Sequence, residues 1–221
     1  MTDDAAALER LLTDRWSCRG FLDRQVDRAV IERLLTMAGR TPSWCNTQPW
    51  QVIVTEGAGT DNLRKAIEAD TEKFGTDFDF PAGYNGVYKE RRRGSGWQLY
   101  ESLGIERGDR EASTAQTLKN FEFFGAPHVA ILSTEADLGV YGAVDCGLFV
   151  DTFLLAAQSL GLGAIAQAAL AVRAPMLRDY FTLPERRRVL CAISFGYADT
   201  DHPTNTYRTS RVALNEFVTW A

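Results

Sequence analysis

The sequence predicts one globular domain that mixes helices with a few short strands, and three observations lead there. Apolar residues recur at helical spacing in several windows, while four short apolar runs bounded by Gly, Pro or polar turns read as strands. No internal repeat, low-complexity stretch or linker divides the chain. With 221 residues, 45% of them hydrophobic, such a domain buries roughly 70% of its unfolded surface and needs no disulfide staples.

The elements follow in order. A first helix runs from Asp3 to Asp14, with Leu8, Leu11 and Leu12 on one face. A second follows Asp27 as N-cap, its apolar stripe being Val30, Ile31, Leu34, Leu35 and Ala38, and Gly39 with Pro42 stops it. Trp50 to Val54 reads as a strand ended by Gly57, and Asp61 to Ala69 as a helix. Residues 71–110 look like an irregular insertion over the surface or over a site, with a helix only near Gly96 to Leu103. A helix from Glu111 to Phe124 is broken by Gly125-Ala126-Pro127, and His128 to Ser133 is a strand. Tyr141 to Leu160 is a long apolar helix with Phe149, Phe153, Ala157 and Leu160 on one face. Ala164 to Gln167 reads as a strand, Pro175 opens a short helix at its first position, and Val189 to Tyr197 is the last core strand. The whole chain, 1–221, is read as a single domain, with 205–221 as a dimerising tail.

Several classes of function are excluded early. Cys18, Cys45, Cys146 and Cys191 are dispersed, and with only His128 and His202 beside them a zinc site is not expected. Dispersed cysteines suit a reducing compartment. The start, Met1-Thr2-Asp3-Asp4, is not that of a signal peptide. Asp145, Asp151 and Gln158 interrupt the longest apolar stretches short of the roughly 18–20 residues of a membrane span. A net charge of −5 argues against general nucleic-acid binding. The cytoplasm is the expected location. There is no G-x-S-x-G elbow, no H-E-x-x-H and no Walker loop. His128 in an apolar strand and His202 in a polar loop read as structural or surface residues rather than general bases. With no obvious acid–base pair, the chemistry would come from a cofactor.

Four constellations remain, each with a plain alternative. In Arg15-Trp16-Ser17-Cys18-Arg19, an extended chain would aim Arg15, Ser17 and Arg19 the same way, a face suited to a phosphate; the alternative is a solvated turn after a helix. The loop Thr41 to Trp50 packs two prolines and two tryptophans around Asn46 and Gln48, a polar rim with aromatic walls suited to a planar heterocycle; the alternative is a helix-to-strand turn. Gly161-Leu162-Gly163-Ala164-Ile165-Ala166 fits G-x-G-x-x-A. A Rossmann loop, however, follows a strand and opens a helix, whereas here a helix precedes and a strand follows. Gly161 is therefore read as a helix C-cap. Asn205 to Arg211 again offers arginine and hydroxyl groups to an anion, and its continuation Val212, Leu214, Phe217, Val218 and Trp220 needs burial on its own chain or on a partner. Arg91-Arg92-Arg93 reads as a solvated face that would at most steer an anionic substrate.

Taken together and in order, these segments resemble the FMN-dependent nitroreductase family over nearly the whole chain. The matching motifs are R-x-S-x-R at Arg15, Ser17 and Arg19, and P-S-x-x-N-x-Q-P-W at Pro42, Ser43, Asn46, Gln48, Pro49 and Trp50. After them come the G-L-G turn before Ala164 to Ala169, Phe195-Gly196-Tyr197 at a strand end, and a late arginine, Arg211, accompanied by Arg208. The resemblance implies an α+β sandwich, a small mixed sheet with helices on both sides, and an intertwined homodimer with two FMN sites at its interface. By the same analogy Arg15, Trp16, Ser17 and Arg19 come from one subunit, and Pro42, Ser43, Trp44 and Asn46 from the other. Arg15, Ser17 and Arg211 would hold the phosphate, Arg19 would stabilise the reduced ring, and the backbone of Ala166, Gln167 and Ala168 would meet flavin N5 and the ring edge. Trp16 and Trp44-Cys45 depart from the family's usual smaller or basic residues and would narrow the pocket. The stretch Phe121 to Pro127 and the insertion before it are similar to those of reductases acting on nitrobenzoate-like aromatics.

The activity so implied passes hydride from NAD(P)H through FMN to a nitroaromatic, quinone or similar small acceptor in two half-reactions. Alternatives within the fold are an ene-reductase, a dehalogenase or an enzyme that breaks down flavin. Outside it stand a non-catalytic flavin-binding module and, more distantly, a Rossmann dehydrogenase.

Overall fold

Four strands form the central sheet of the computed structural model, which describes residues 3–221. Met1 and Thr2, on which part of the amino-terminal reading rests, lie outside them. The helices are α1 (Asp3–Asp14), α2 (Arg28–Ala38), α3 (Ala58–Ala69), α4 (Gly86–Ser102), α5 (Arg110–Leu118), α6 (Gly139–Ser159) and α7 (Ala174–Tyr180). The strands are β1 (Gln51–Thr55), β2 (His128–Glu135), β3 (Gly163–Gln167) and β4 (Arg187–Gly196). The sheet order is β1-β2-β4-β3.

Side chains of successive strand residues leave on opposite faces, and the core divides accordingly. Ala130 and Leu132 of β2, with Ile193 and Phe195 of β4, pack against Ile31 and Leu34 of α2 and Phe149 and Phe153 of α6. The alternate residues Val129, Ile131, Val189 and Ala192 face Leu63 of α3 and Leu177 of α7. Helices therefore cover both faces, giving the α+β sandwich. All named strand pairs are antiparallel. The parallel component expected of a mixed sheet is confined, within this sheet's surroundings, to bridges such as Ser17 with Ala164. Strand direction depends on the end at which the chain re-enters the sheet after a helix, which local residue pattern does not encode.

Three elements differ from the sequence reading. The expected irregular stretch 71–110 contains the 17-residue α4. None of its residues is buried, so it carries no apolar stripe for periodicity to detect. α5 stops at Leu118 rather than Phe124, because Phe123, Phe124 and Gly125 turn through positive φ of 59°, 52° and 78°. That turn buries both phenylalanine rings. Finally, Ala136–Ser159, of which α6 is the main part, reaches 24 residues with a mean hydropathy of 1.5, long and apolar enough for a membrane span. Its Phe149, Phe153, Ala156 and Ala157 instead pack on the sheet. The polar Asp145 is buried where it accepts from the Trp44 backbone N–H at 3.1 Å, so it does not interrupt the helix.

The glycine-rich turn is a helix end followed by a strand. Gly161 adopts φ 73° just past α6. Gly163 is needed for close approach, since a Cβ there would lie 2.8 Å from Cys18 Sγ.

Candidate active site

The segment after α1 runs extended beside β3. Ser17 bridges Ala164, and the Cys18 N–H donates to the Ala164 carbonyl at 3.2 Å. Cys18 turns inward and burial pushes its thiol up to about 11, so it is no nucleophile. Arg15, Ser17 and Arg19, alternating with it, line one cleft as the extended spacing predicts, and Trp16 joins them at its wall.

The carboxy-terminal constellation closes the same cleft. Asn205, almost fully buried, holds the two segments together. Its Oδ1 accepts from the Arg19 backbone N–H at 2.9 Å and from Trp16 Nε1 at 3.3 Å. Its Nδ2 donates to the carbonyls of Gly20 and Asp199 at 2.8 and 2.7 Å. Arg208 then stacks on Trp16, 4.2 Å from the ring centroid.

The result is a cleft of about 800 Å³ lined by Arg15, Arg19, Arg208 and Arg211, with Asp151 as the carboxylate among its lining residues. Burial lowers the pKa of Arg15, and the neighbouring Arg211 lowers it further against the opposing pull of Asp151. Burial also lowers that of Arg19. Like charges brought together at partial burial favour an anion between them.

The loop 42–48 is built differently. Cys45, Asn46 and Gln48 sit at φ 52°, 53° and 48°, a strained run for residues with side chains. The loop is clamped by the Trp44 N–H on Asp145 and by the Gln48 N–H on Ser43 Oγ at 2.9 Å. Trp44 is 63% exposed and rests on Tyr141 at 4.8 Å between ring centroids. None of Pro42, Ser43, Trp44, Asn46 or Gln48 lines the arginine cleft. Within one chain the two clusters are not brought together.

At the end of β3, Ala166 and Ala168 are exposed while Gln167 is buried. The Gln167 amide donates to the Asn120 carbonyl at 2.9 Å and accepts from Ser194 Oγ. Its side chain is thus committed to the fold, and the neighbouring Ala166 and Ala168 are the residues presented outward. The histidines are structural: His128 Nε2 accepts from the Val26 N–H at 2.9 Å, and His202 Nδ1 lies 2.7 Å from Thr204 Oγ1. Among the described residues no group of three or more His, Cys, Asp or Glu could hold a metal ion.

The nitroreductase family model matches residues 12–197, which include the R-x-S-x-R segment, the 42–48 loop and all four strands. The chain belongs to the nitroreductase family. It is 36% identical over 217 residues to nitroreductase NfnB of Mycolicibacterium smegmatis, covering 97% of this chain and 92% of that protein. It is 32% identical over 221 residues to a 4-nitrobenzoate reductase of a Nocardioides species, covering 97% and 90%. The crystal structure of the FMN-dependent nitroreductase NfnB from Mycobacterium smegmatis in complex with NADPH superposes with a TM-score of 0.93, covering 99% of this chain and all of that one at 35% identity. An iodotyrosine dehalogenase homologue of Caenorhabditis elegans is more distant, at 27% identity over 197 residues and 53% of its length.

Sequence reading had found the nitroreductase motifs but left out Tyr207 and Asp151 on the cleft wall, Asn120 and Ser194 behind Gln167, and the part Asn205 plays. Asn205 opens the polar run before Arg208, which was its available signal. Tyr207 stands in the same run and shared that signal, whereas Asp151, Asn120 and Ser194 come from elements remote in sequence and carried none.

Proposed function

We propose that the chain is an FMN-dependent reductase that oxidises NAD(P)H and reduces nitroaromatic, quinone or similar small acceptors, working as a homodimer in the cytoplasm. The observation that carries this reading is the arginine cleft clasped by Asn205. Four guanidinium groups against one carboxylate suit a phosphate monoester, and Trp16 with its stacked Arg208 offers a flat wall. Family membership and the reductase activity of relatives that match nearly the full chain support the rest.

FMN, when bound, supplies the hydride chemistry. The chain's own residues hold and surround it. Arg15, Ser17 and Arg211 would bind its phosphate, Arg208 fixes the Trp16 wall, and Arg19 would set a positive charge beside the ring. The backbone of Ala166, Gln167 and Ala168 would border the flavin, with Gln167 held from behind by Asn120 and Ser194. Pro42, Ser43, Trp44, Asn46 and Gln48 complete the site from a second copy.

Two exposed apolar surfaces support the dimer: Val140, Tyr141, Val144 and Leu148 along α6, and Leu214, Phe217 and Trp220 in the tail. The dehalogenase alternative has only the distant relative behind it.

The test is the visible spectrum of the purified protein, followed by heat release of the flavin and steady-state kinetics with NAD(P)H and a nitroarene. The expected result is about one non-covalent FMN per chain and parallel double-reciprocal lines, because one site serves donor and acceptor in turn. A colourless protein that takes up no FMN overturns the reading, and flavin without turnover reduces the chain to a binding module.

A further inference from the structure

The arginine run on α4 behaves differently from residue to residue. Arg91 pairs with Glu216 at 3.3 Å. Among the described residues Arg92 and Arg93 make no ion pair; Arg92 has only the Tyr84 ring, 5.5 Å away. Both instead line a cleft of about 370 Å³ whose other walls include Arg19, Tyr207, Trp97 and Tyr100. No Asp or Glu lines it. Arg19 belongs also to the larger arginine cleft, as does Ser95, so the two spaces adjoin. Arg92 and Arg93 are themselves exposed; what sets them apart from Arg91 is that they border, with Arg19, one cleft that has no carboxylate among its lining residues.

A second observation concerns the same turn of helix. Gly94 and Gly96 flank Ser95 in the middle of α4, where glycine weakens a helix relative to alanine. A Cβ at either position would meet nothing within 4 Å. Packing within this chain therefore gives no reason for small residues there. They leave open space beside Ser95, at the mouth of the cleft.

We propose that Arg92 and Arg93, with Arg19 and Tyr207, form a recognition wall for an oxyanion carried by the molecule that exchanges electrons with the flavin, and that the Gly94-Ser95-Gly96 step gives that molecule room against α4. This deepens the reductase reading and rests on it. The aromatic side chains Trp97 and Tyr100, packed edge to face at 5.7 Å between centroids, supply the flat apolar part of the wall. Arg107 covers the Trp97 ring at 4.9 Å from its centroid and helps to fix it. A phosphate monoester or an aromatic carboxylate satisfies this chemistry. The first would be the 2′-phosphate of NADPH, the second a carboxylated nitroarene.

The experiment compares the parent protein with the double variant Arg92→Gln/Arg93→Gln, which keeps two good helix formers on an exposed face. Two selectivity ratios of kcat/KM are measured: NADPH over NADH with one acceptor, and 4-nitrobenzoate over nitrobenzene with one donor. Arg91→Gln, which removes the arginine already paired with Glu216, serves as control. Loss of charged hydrogen-bond donors should lower one ratio about tenfold or more in the double variant and neither in the control. A fall in the first ratio identifies the donor phosphate, and a fall in the second the acceptor carboxylate. If neither ratio falls by more than threefold, the inference is overturned. Flavin content reports the reductase reading separately: a parent protein that carries and takes up no flavin sinks that reading and this inference with it, whereas a flavin-loaded, active variant with unchanged ratios sinks this inference alone.

Discussion

Asn205→Ala should loosen the cleft more than any single arginine substitution. Asn205 makes four hydrogen bonds, two as acceptor from Trp16 and the Arg19 backbone and two as donor to the carbonyls of Gly20 and Asp199. Each such bond contributes about 0.5–1.5 kcal/mol net, and stranding a buried partner costs more. Water reaches the partly buried ones and offsets some of the loss, which leaves about 3 kcal/mol for the clasp. In a chain of this size that corresponds to a fall in melting temperature of about 6–12 °C. The second consequence is functional. Asn205 joins the segment of Arg15 and Arg19 to that of Arg208 and Arg211, so its loss should weaken FMN binding at least about tenfold. Thermal unfolding with and without FMN, together with titration of the apoprotein, measures both. Asn205→Asp keeps the two acceptor roles but sets a carboxylate against two carbonyls, so it should fall in the same direction. A melting temperature within about 2 °C of the parent and an unchanged FMN dissociation constant would refute the clasp.

Three further outcomes are expected. Arg15→Ala and Arg211→Ala should each weaken FMN binding about ten- to a hundredfold while the protein stays folded; unchanged affinities in both would move the phosphate elsewhere. His128 is held below its ordinary pKa chiefly by burial, so as pH falls the unfolded chain takes the proton first. Its contribution to stability is therefore present above about pH 6.5 and lost as pH falls from there toward the folded-state value. Urea midpoints at pH 5 and 7.5 should differ less in His128→Gln than in the parent, and equal differences would contradict this. Truncation after Arg211 removes the exposed Leu214, Phe217 and Trp220, each contributing roughly 1.5–3 kcal/mol if buried by a partner. The truncated chain should lose dimer and flavin together in analytical ultracentrifugation, and a stable, fully flavinated dimer would show the tail to be dispensable.

The boundary between what was legible in sequence and what was not follows from the range of the interactions. Local rules sufficed wherever an element buries one face. The stripe of α2, the apolar face of α6 and the short runs of β1 to β4 all carry their periodicity in consecutive residues. The same local logic placed Gly161 at a helix end rather than in a dinucleotide loop, and alternation along an extended segment aimed Arg15, Ser17 and Arg19 together. The first half of α4 escaped, and only a helix near Gly96 to Leu103 was legible, because a helix that buries nothing has little pattern; the end of α5 was misplaced because its stop depends on where two phenylalanine rings find a core. The motifs identified the family, since their order along the chain is itself a sequence property. Only the tertiary structure decided that residues 15–19 and 205–211 share one cleft. That meeting is made by Asn205 across 186 residues of chain, and no spacing rule reaches so far. Only the tertiary structure, too, separated Arg92 and Arg93 from Arg91. In sequence the three are one basic run, and whether each finds a carboxylate depends on which distant segment lies opposite it.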